Sequence, residues 1–183
     1  MVLYRFEGKE PKIGKGTYVS HSAEIIGDVT IGRQCYIGPS AIIRGDYGTI
    51  VIGDKTSIEE NCVLHARPNE TCKIGNMVTV GHGAILHNCT VKDYAIIGMG
   101  AIVSDYAVVG VWSVVAEGCV VKNKQIIEDK QIVAGIPAKI VGEVSKDYQK
   151  LWTSYKNMYA ELALKYPKTL EIVKRKQMQS NSQ

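Results

Sequence analysis

An aliphatic residue recurs every six positions through most of this chain. Ile13, Val19, Ile25, Ile31, Ile37 and Ile43 form the first run. After a nine-residue step come Ile52, Ile58 and Leu64, and after a ten-residue step Ile74, Val80 and Leu86. A five-residue step leads into Val91, Ile97, Val103, Val109, Val115 and Val121. A spacing of six matches neither the 3.6-residue period of an α-helix nor the two-residue alternation of an isolated strand. It matches a short strand followed by a turn, repeated. Three such units close a triangular coil, and stacked coils hydrogen-bond at about 4.8 Å with the anchors filling the interior. The eighteen anchors predict an all-β fold, a parallel β-helix of about six triangular coils.

A second column fixes the register. Four residues after each anchor stand compact side chains, among them Thr17, Ala23, Cys35, Ala41, Cys62, Ala84, Ala95, Ala101 and Cys119, while Tyr47 and Pro68 break the pattern beside the two long steps. Those steps predict loops at corners near 44–51 and 65–73. Glycines after the anchors, such as Gly14, Gly32, Gly53 and Gly75, suggest corners with φ values that other residues resist. The composition agrees with a core of small branched side chains: 45% of residues are hydrophobic, yet there is one phenylalanine.

The pattern changes after the repeats. Residues 1–143 read as the β-helix domain, with 131–143 as a connector, and residues 144–178 as a C-terminal α-helical segment. In the latter, Tyr148, Leu151, Trp152, Tyr155, Met158, Tyr159 and Leu162 recur at helical spacing and mark a face that packs on the prism. Pro167 is expected to interrupt it, with a second short helix to about 176. Residues 179–183 read as a disordered tail.

Charge and cysteine usage exclude some classes. The net charge of +4 is carried by the stretch 165–183, which leaves the body neutral and gives no nucleic-acid face. No stretch approaches a membrane span, and MVLYRFEGKEPK lacks the apolar core of a signal peptide. Five cysteines without paired spacing suit a reducing compartment, so a cytoplasmic location is expected. Cys35, Cys62 and Cys119 occupy interior positions, whereas Cys72 and Cys89 are the two with a prospect of reactivity.

The repeat also places the chemistry. Arg44, His65 and His87 each follow the third anchor of successive coils, so they stack along one edge. Two donors on a tetrahedral ion are roughly 3.3–3.4 Å apart, within reach of side chains from adjacent coils. His82 follows the second anchor and lies on another side of the prism. Three of the four histidines share one ion only if a three-fold oligomer brings a neighbour's His82 to the His65–His87 edge.

The run IIRGDYGTIVIGDKTSIEENCVLH (42–65), followed by GHGAILH (81–87), resembles the γ-class carbonic anhydrase family of the hexapeptide-repeat superfamily. The likeness implies a left-handed β-helix, although general chirality favours right-handed crossovers. It further implies a homotrimer binding zinc, or iron or cobalt, through His65 and His87 of one subunit and His82 of the next. Metal-activated water would then hydrate carbon dioxide to bicarbonate. Arg44 and Asp46 match the family's interface ion pair, expected to be bidentate. Glu59 stands where the family usually has a water-orienting Gln, and could accept a hydrogen bond or act as a base; Ser57 stands where Asn is common. No acid follows His65 or Asp46 to shuttle protons, which leaves Glu60 and Glu70 as substitutes. Two other functions suit the same fold: a hexapeptide acyltransferase or acyl-CoA-directed enzyme, and a non-catalytic metal-binding trimer.

Overall fold

The computed structural model describes residues 2–173. The expected tail at 179–183 lies outside them, as does the end of the second short helix. Three columns of parallel strands stack along a left-handed prism. The first carries Ile13, Ile31, Ile52, Ile74, Val91, Val109 and Ile127. The second carries Val19, Ile37, Ile58, Val80, Ile97, Val115 and Val133. The third runs from Ile25 through Ile43, Leu64, Leu86 and Val103 to Val121. Every anchor after Ile13 is buried, and together with the compact second column they make one continuous core.

The β-helix is longer at both ends than the eighteen anchors suggest. Val2–Tyr4 adds a strand beside Glu24–Ile26. At the other end the six-residue count continues onto Ile127 and Val133, giving a seventh turn. The segment expected to be a connector is therefore structural. Gln131–Ala134 is the last rung of the second face, and Lys139–Glu143 folds back on it as an antiparallel strand. That strand occupies the end of the sheet, where unpaired N–H and C=O groups would otherwise be exposed.

The glycines after the anchors serve a different purpose from the one expected. A Cβ on Gly14 would lie 2.3 Å from the Gly32 carbonyl oxygen, and one on Gly53 2.6 Å from the Gly75 carbonyl carbon. They permit close stacking of corners. The left-handed conformation falls two residues later, at Gly16, Gln34, Lys55, Met77, Tyr94 and Trp112, one level after another. The 44–51 excursion is not a free loop either. Ile42–Ile52 is one eleven-residue strand that bends round a corner and pairs on both sides of a bulge at Gly27–Val29.

Helix α1 spans Lys146–Thr169. Ser145 caps it, its hydroxyl accepting from the Tyr148 N–H at 3.1 Å. Pro167 does not break it; the proline falls in the last turn, and the helix ends two residues on. Its buried line differs from the apolar stripe read in the sequence. Lys156, Ala160 and Ala163 are buried, with Trp152, Tyr159 and Tyr166 half-buried, whereas Leu151, Tyr155 and Met158 are largely exposed. Near its end α1 packs rings on the second face, with Tyr166 4.9 Å from Tyr18 and Tyr159 5.3 Å from Tyr36. Nearer its start Tyr148 and Trp152 pack with Ile96, Val114, Ile132 and Val144.

Candidate functional site

The stacking expected of Arg44, His65 and His87 is present. Arg44 pairs in register with His65, and His65 with His87, on consecutive rungs of the third face. Their side chains form a continuous polar chain. The Asp46 carboxylate accepts from His65 Nε2 at 3.0 Å, His65 Nδ1 lies 3.2 Å from His87 Nε2, and His87 Nδ1 lies 2.5 Å from Asp105 Oδ1. Arg44 contributes one hydrogen bond, Nη1 to Asp46 Oδ2 at 3.1 Å, rather than the expected bidentate pair. Arg67 grips Asp105 through Nε at 2.9 Å and Nη2 at 2.8 Å.

Both carboxylates stay ionised. Burial alone would raise the Asp105 pKa; the Arg67 and His87 hydrogen bonds outweigh it and hold the group below its usual value. Asp46 is lowered in the same sense: burial opposes, while His65, the Tyr47 N–H and the Arg44 charge prevail. An ionised carboxylate only accepts, so His65 Nε2 and His87 Nδ1 carry the protons. The two remaining nitrogens then turn lone pairs toward one another. Their 3.2 Å separation is close to that of two donors on one tetrahedral ion. A cation, or one added proton, resolves the opposition. These two nitrogens are the atoms that would hold a divalent ion, with Asp46 and Asp105 orienting the rings from behind.

His82 is elsewhere, as its position in the repeat requires. It projects from the corner after the second face, with Nε2 3.1 Å from Glu59 Oε2 and Nδ1 2.5 Å from Glu60 Oε2. Among the described residues of one chain no three His, Cys, Asp or Glu side chains gather to hold an ion. Glu59 is likewise remote from the His65–His87 pair of its own chain. It is buried beneath α1 and bonded to Tyr159, and burial raises its pKa despite the charge of His82. Glu60 takes the Tyr36 hydroxyl at 2.8 Å.

The spacing argument missed Asp105, Arg67 and Lys156. Asp105 had a signal: it lies one rung beyond His87, just past the neighbour of that histidine in the stack. Lys156 had none, because its ammonium is buried from the helix side, donating to Thr79 Oγ1 at 3.1 Å and the Ala95 carbonyl at 3.2 Å. Cys72 and Cys89 are both buried in the prism, their sulfurs 4.0 Å apart, rather than lying at the surface.

Residues 10–45 match the family model described as bacterial transferase hexapeptide (six repeats). The carnitine operon protein CaiE of Escherichia coli O157:H7 is 39% identical over 147 residues, which span 80% of this chain and 75% of that protein. A crystal structure from Bacillus cereus with a provisional acetyltransferase assignment superposes with a TM-score of 0.88 at 32% identity, covering 90% of this chain and 96% of that one. The hexapeptide transferase family protein of Anaplasma phagocytophilum gives 0.86 at 33% identity, covering 90% and 98%. The chain thus belongs to the hexapeptide-repeat transferase family that includes CaiE.

These relatives overturn the carbonic anhydrase expectation. They are a carnitine operon protein, a provisionally assigned acetyltransferase and a hexapeptide transferase family protein, so a zinc lyase acting on carbon dioxide and bicarbonate is not supported. The physical reason lies in what the motif records. RGD, LH and GHxxxxH report which side chains stack on the edges of the prism, a property of the scaffold that different reactions can share. Among the described residues no helix is long and apolar enough to cross a membrane.

Proposed function

We propose that this protein is a metal-dependent hexapeptide-repeat transferase acting on acyl-CoA thioesters, with its site formed between copies of a homotrimer. The observation that carries the reading is the opposed pair His65 Nδ1 and His87 Nε2, held by Asp46 and Asp105 on an edge of a transferase-family prism. Outward on the same face stand Ile42, Val63, Ile85 and Ile102, a half-exposed apolar column suited to burial against a second copy. A neighbour seated there with its 81–83 corner on this edge would add His82 to the histidine pair once that ring turns one nitrogen away from Glu59 or Glu60. A divalent ion bound by the three would supply Lewis-acid polarisation of the thioester carbonyl.

The remaining work falls to side chains. Arg44 and Arg67, both about half exposed, present positive charge along the edge where the phosphates of coenzyme A would lie. The neighbour's Glu59 arrives with His82. Its raised pKa suits it to take the proton from the acceptor hydroxyl, whose oxygen attacks the thioester carbon. The carbon–sulfur bond then breaks, and the departing thiolate recovers that proton. The relation to CaiE supports an acceptor or product of the carnitine class, a hydroxy acid bearing a quaternary ammonium.

The test is thiol release from acetyl-CoA with carnitine present, in wild type and in His87→Ala. Turnover dependent on added divalent metal, lost in a His87→Ala protein that stays folded and trimeric, supports the reading. Failure of wild type to bind acetyl-CoA at millimolar concentration contradicts it.

A further inference from the structure

A cavity of about 400 Å³ lies between the second face of the prism and helix α1. Its size falls in the range of small-molecule pockets. Ile96 and Val114 form the prism side, and Trp152, Met158 and Leu162 the helix side. Its charged groups lie towards the two ends, Glu59 and His82 on one side and Glu117 two rungs further on. Glu59 and His82, 3.1 Å apart, are at one end, where His82 is still about half exposed. The cavity therefore has an apolar body and a hydrogen-bonding mouth, and the mouth holds the two residues that the proposed reaction places beside the thioester.

We infer that this cavity receives the hydrocarbon tail of the acyl group. The inference rests on the acyl-CoA reading and names the part of the substrate that selects among donors. Two observations choose a neutral chain over a quaternary ammonium. The Lys156 amine already lies 5.8 Å from the Trp152 ring centroid and 6.0 Å from that of Trp112, so a second cation against Trp152 competes for the same ring face and is repelled whenever the amine is protonated. The wall's two acids do not serve such a charge: Glu59 is already paired with His82, and Glu117 is exposed to solvent. A hydrocarbon chain needs no partner there. With its carbonyl at the Glu59–His82 end it lies beside Ile96, Val114 and Trp152, which already pack on one another.

The experiment uses the Trp112→Phe protein, in which Trp152 is the one remaining indole, titrated with coenzyme A and with its acetyl, butyryl, hexanoyl and octanoyl thioesters. Affinity is expected to rise about fourfold per added methylene until the cavity is filled. Emission from Trp152 should shift to the blue for butyryl-CoA and longer chains, and not for coenzyme A itself. Met158→Phe, which narrows the cavity from the helix side without adding an indole, should flatten the chain-length dependence, and Met158→Ala should move the plateau to longer chains. A chain-length-independent affinity in the Trp112→Phe protein, or a Met158→Phe variant of it with an unchanged chain-length profile, overturns the inference and leaves the acyl-CoA reading standing. If coenzyme A itself fails to bind, the acyl-CoA reading falls. Free octanoate then decides the cavity separately: a saturable blue shift of Trp152 that Met158→Phe weakens supports a chain-binding site, and no shift overturns it.

Discussion

His65 Nδ1 and His87 Nε2 face each other across 3.2 Å with no proton assigned to either by its neighbours, because each ring spends its N–H on a carboxylate at the far side. The site is pre-formed by the stacking of rungs. His65 and His87 are in-register partners on adjacent strands, and the carboxylates Asp46 and Asp105 lie at either end of the pair.

Asp105 acts through His87. In Asp105→Asn the amide can present its N–H₂ to Nδ1, which favours the tautomer with the proton on Nε2, facing His65. Divalent-metal affinity, read by competition with a chromogenic chelator, should fall about 10- to 100-fold while the circular dichroism spectrum is retained. Unchanged affinity would remove the positioning role.

The same carboxylate sets an acid-side stability window. The folded pKa of Asp105 is below its unfolded value near 3.9, so the folded state binds fewer protons over the interval between the two. Its contribution is present above the unfolded pKa and is lost as pH falls through the lower, folded one. The Tm gap between wild type and Asp105→Asn should be steady from pH 5 to 7 and shrink below pH 4. A gap that widens below pH 4 would reverse the sign.

Lys156 has the opposite consequence. Burial lowers its pKa from 10.5 to about 7, with Glu59 opposing the shift. Between those values the unfolded chain binds the extra proton, so stability rises as pH climbs from about 7 toward 10.5, and the cost is full below 7. Lys156→Met should therefore stabilise the protein by about 2 kcal/mol at pH 6, and by less at pH 9. Denaturant titration at the two pH values checks both the sign and the trend.

The anchors hold the prism together by close packing. Leu86 is fully buried, between Leu64 and Val103 on the rungs to either side. Leu86→Ala should cost about 3 kcal/mol in urea unfolding, whereas Ile85→Ala, one residue away and 41% exposed, should cost under about 1 kcal/mol in the isolated chain. Equal losses at the two positions would contradict the inward and outward assignment.

Much of this was legible because a strict six-residue period converts sequence distance into place. It put His65 above His87 and sent His82 to another corner without any structure. Continued by two more steps, it reaches Ile127 and Val133, the rungs first read as part of the exit from the repeats. What it could not show was side-chain reach from outside the repeat. Lys156 comes from a helix whose buried line is set by the shape of the second face, so its apolar periodicity pointed partly the wrong way, toward Leu151 and Met158. The reaction was equally hidden, since stacked histidines record the scaffold and not the electrophile brought to it.

The most direct measurement mixes two inactive variants. His82→Ala keeps the His65–His87 edge, and His65→Ala keeps the His82 corner, so a trimer containing both chains has intact sites at interfaces that pair the right faces. After subunit exchange at equal concentrations, acyl-CoA-dependent thiol release should return to roughly a quarter of the wild-type level, the share of correctly paired interfaces in random mixing. No recovery in trimers shown to contain both chains, or full activity in either variant alone, would contradict a site shared between copies.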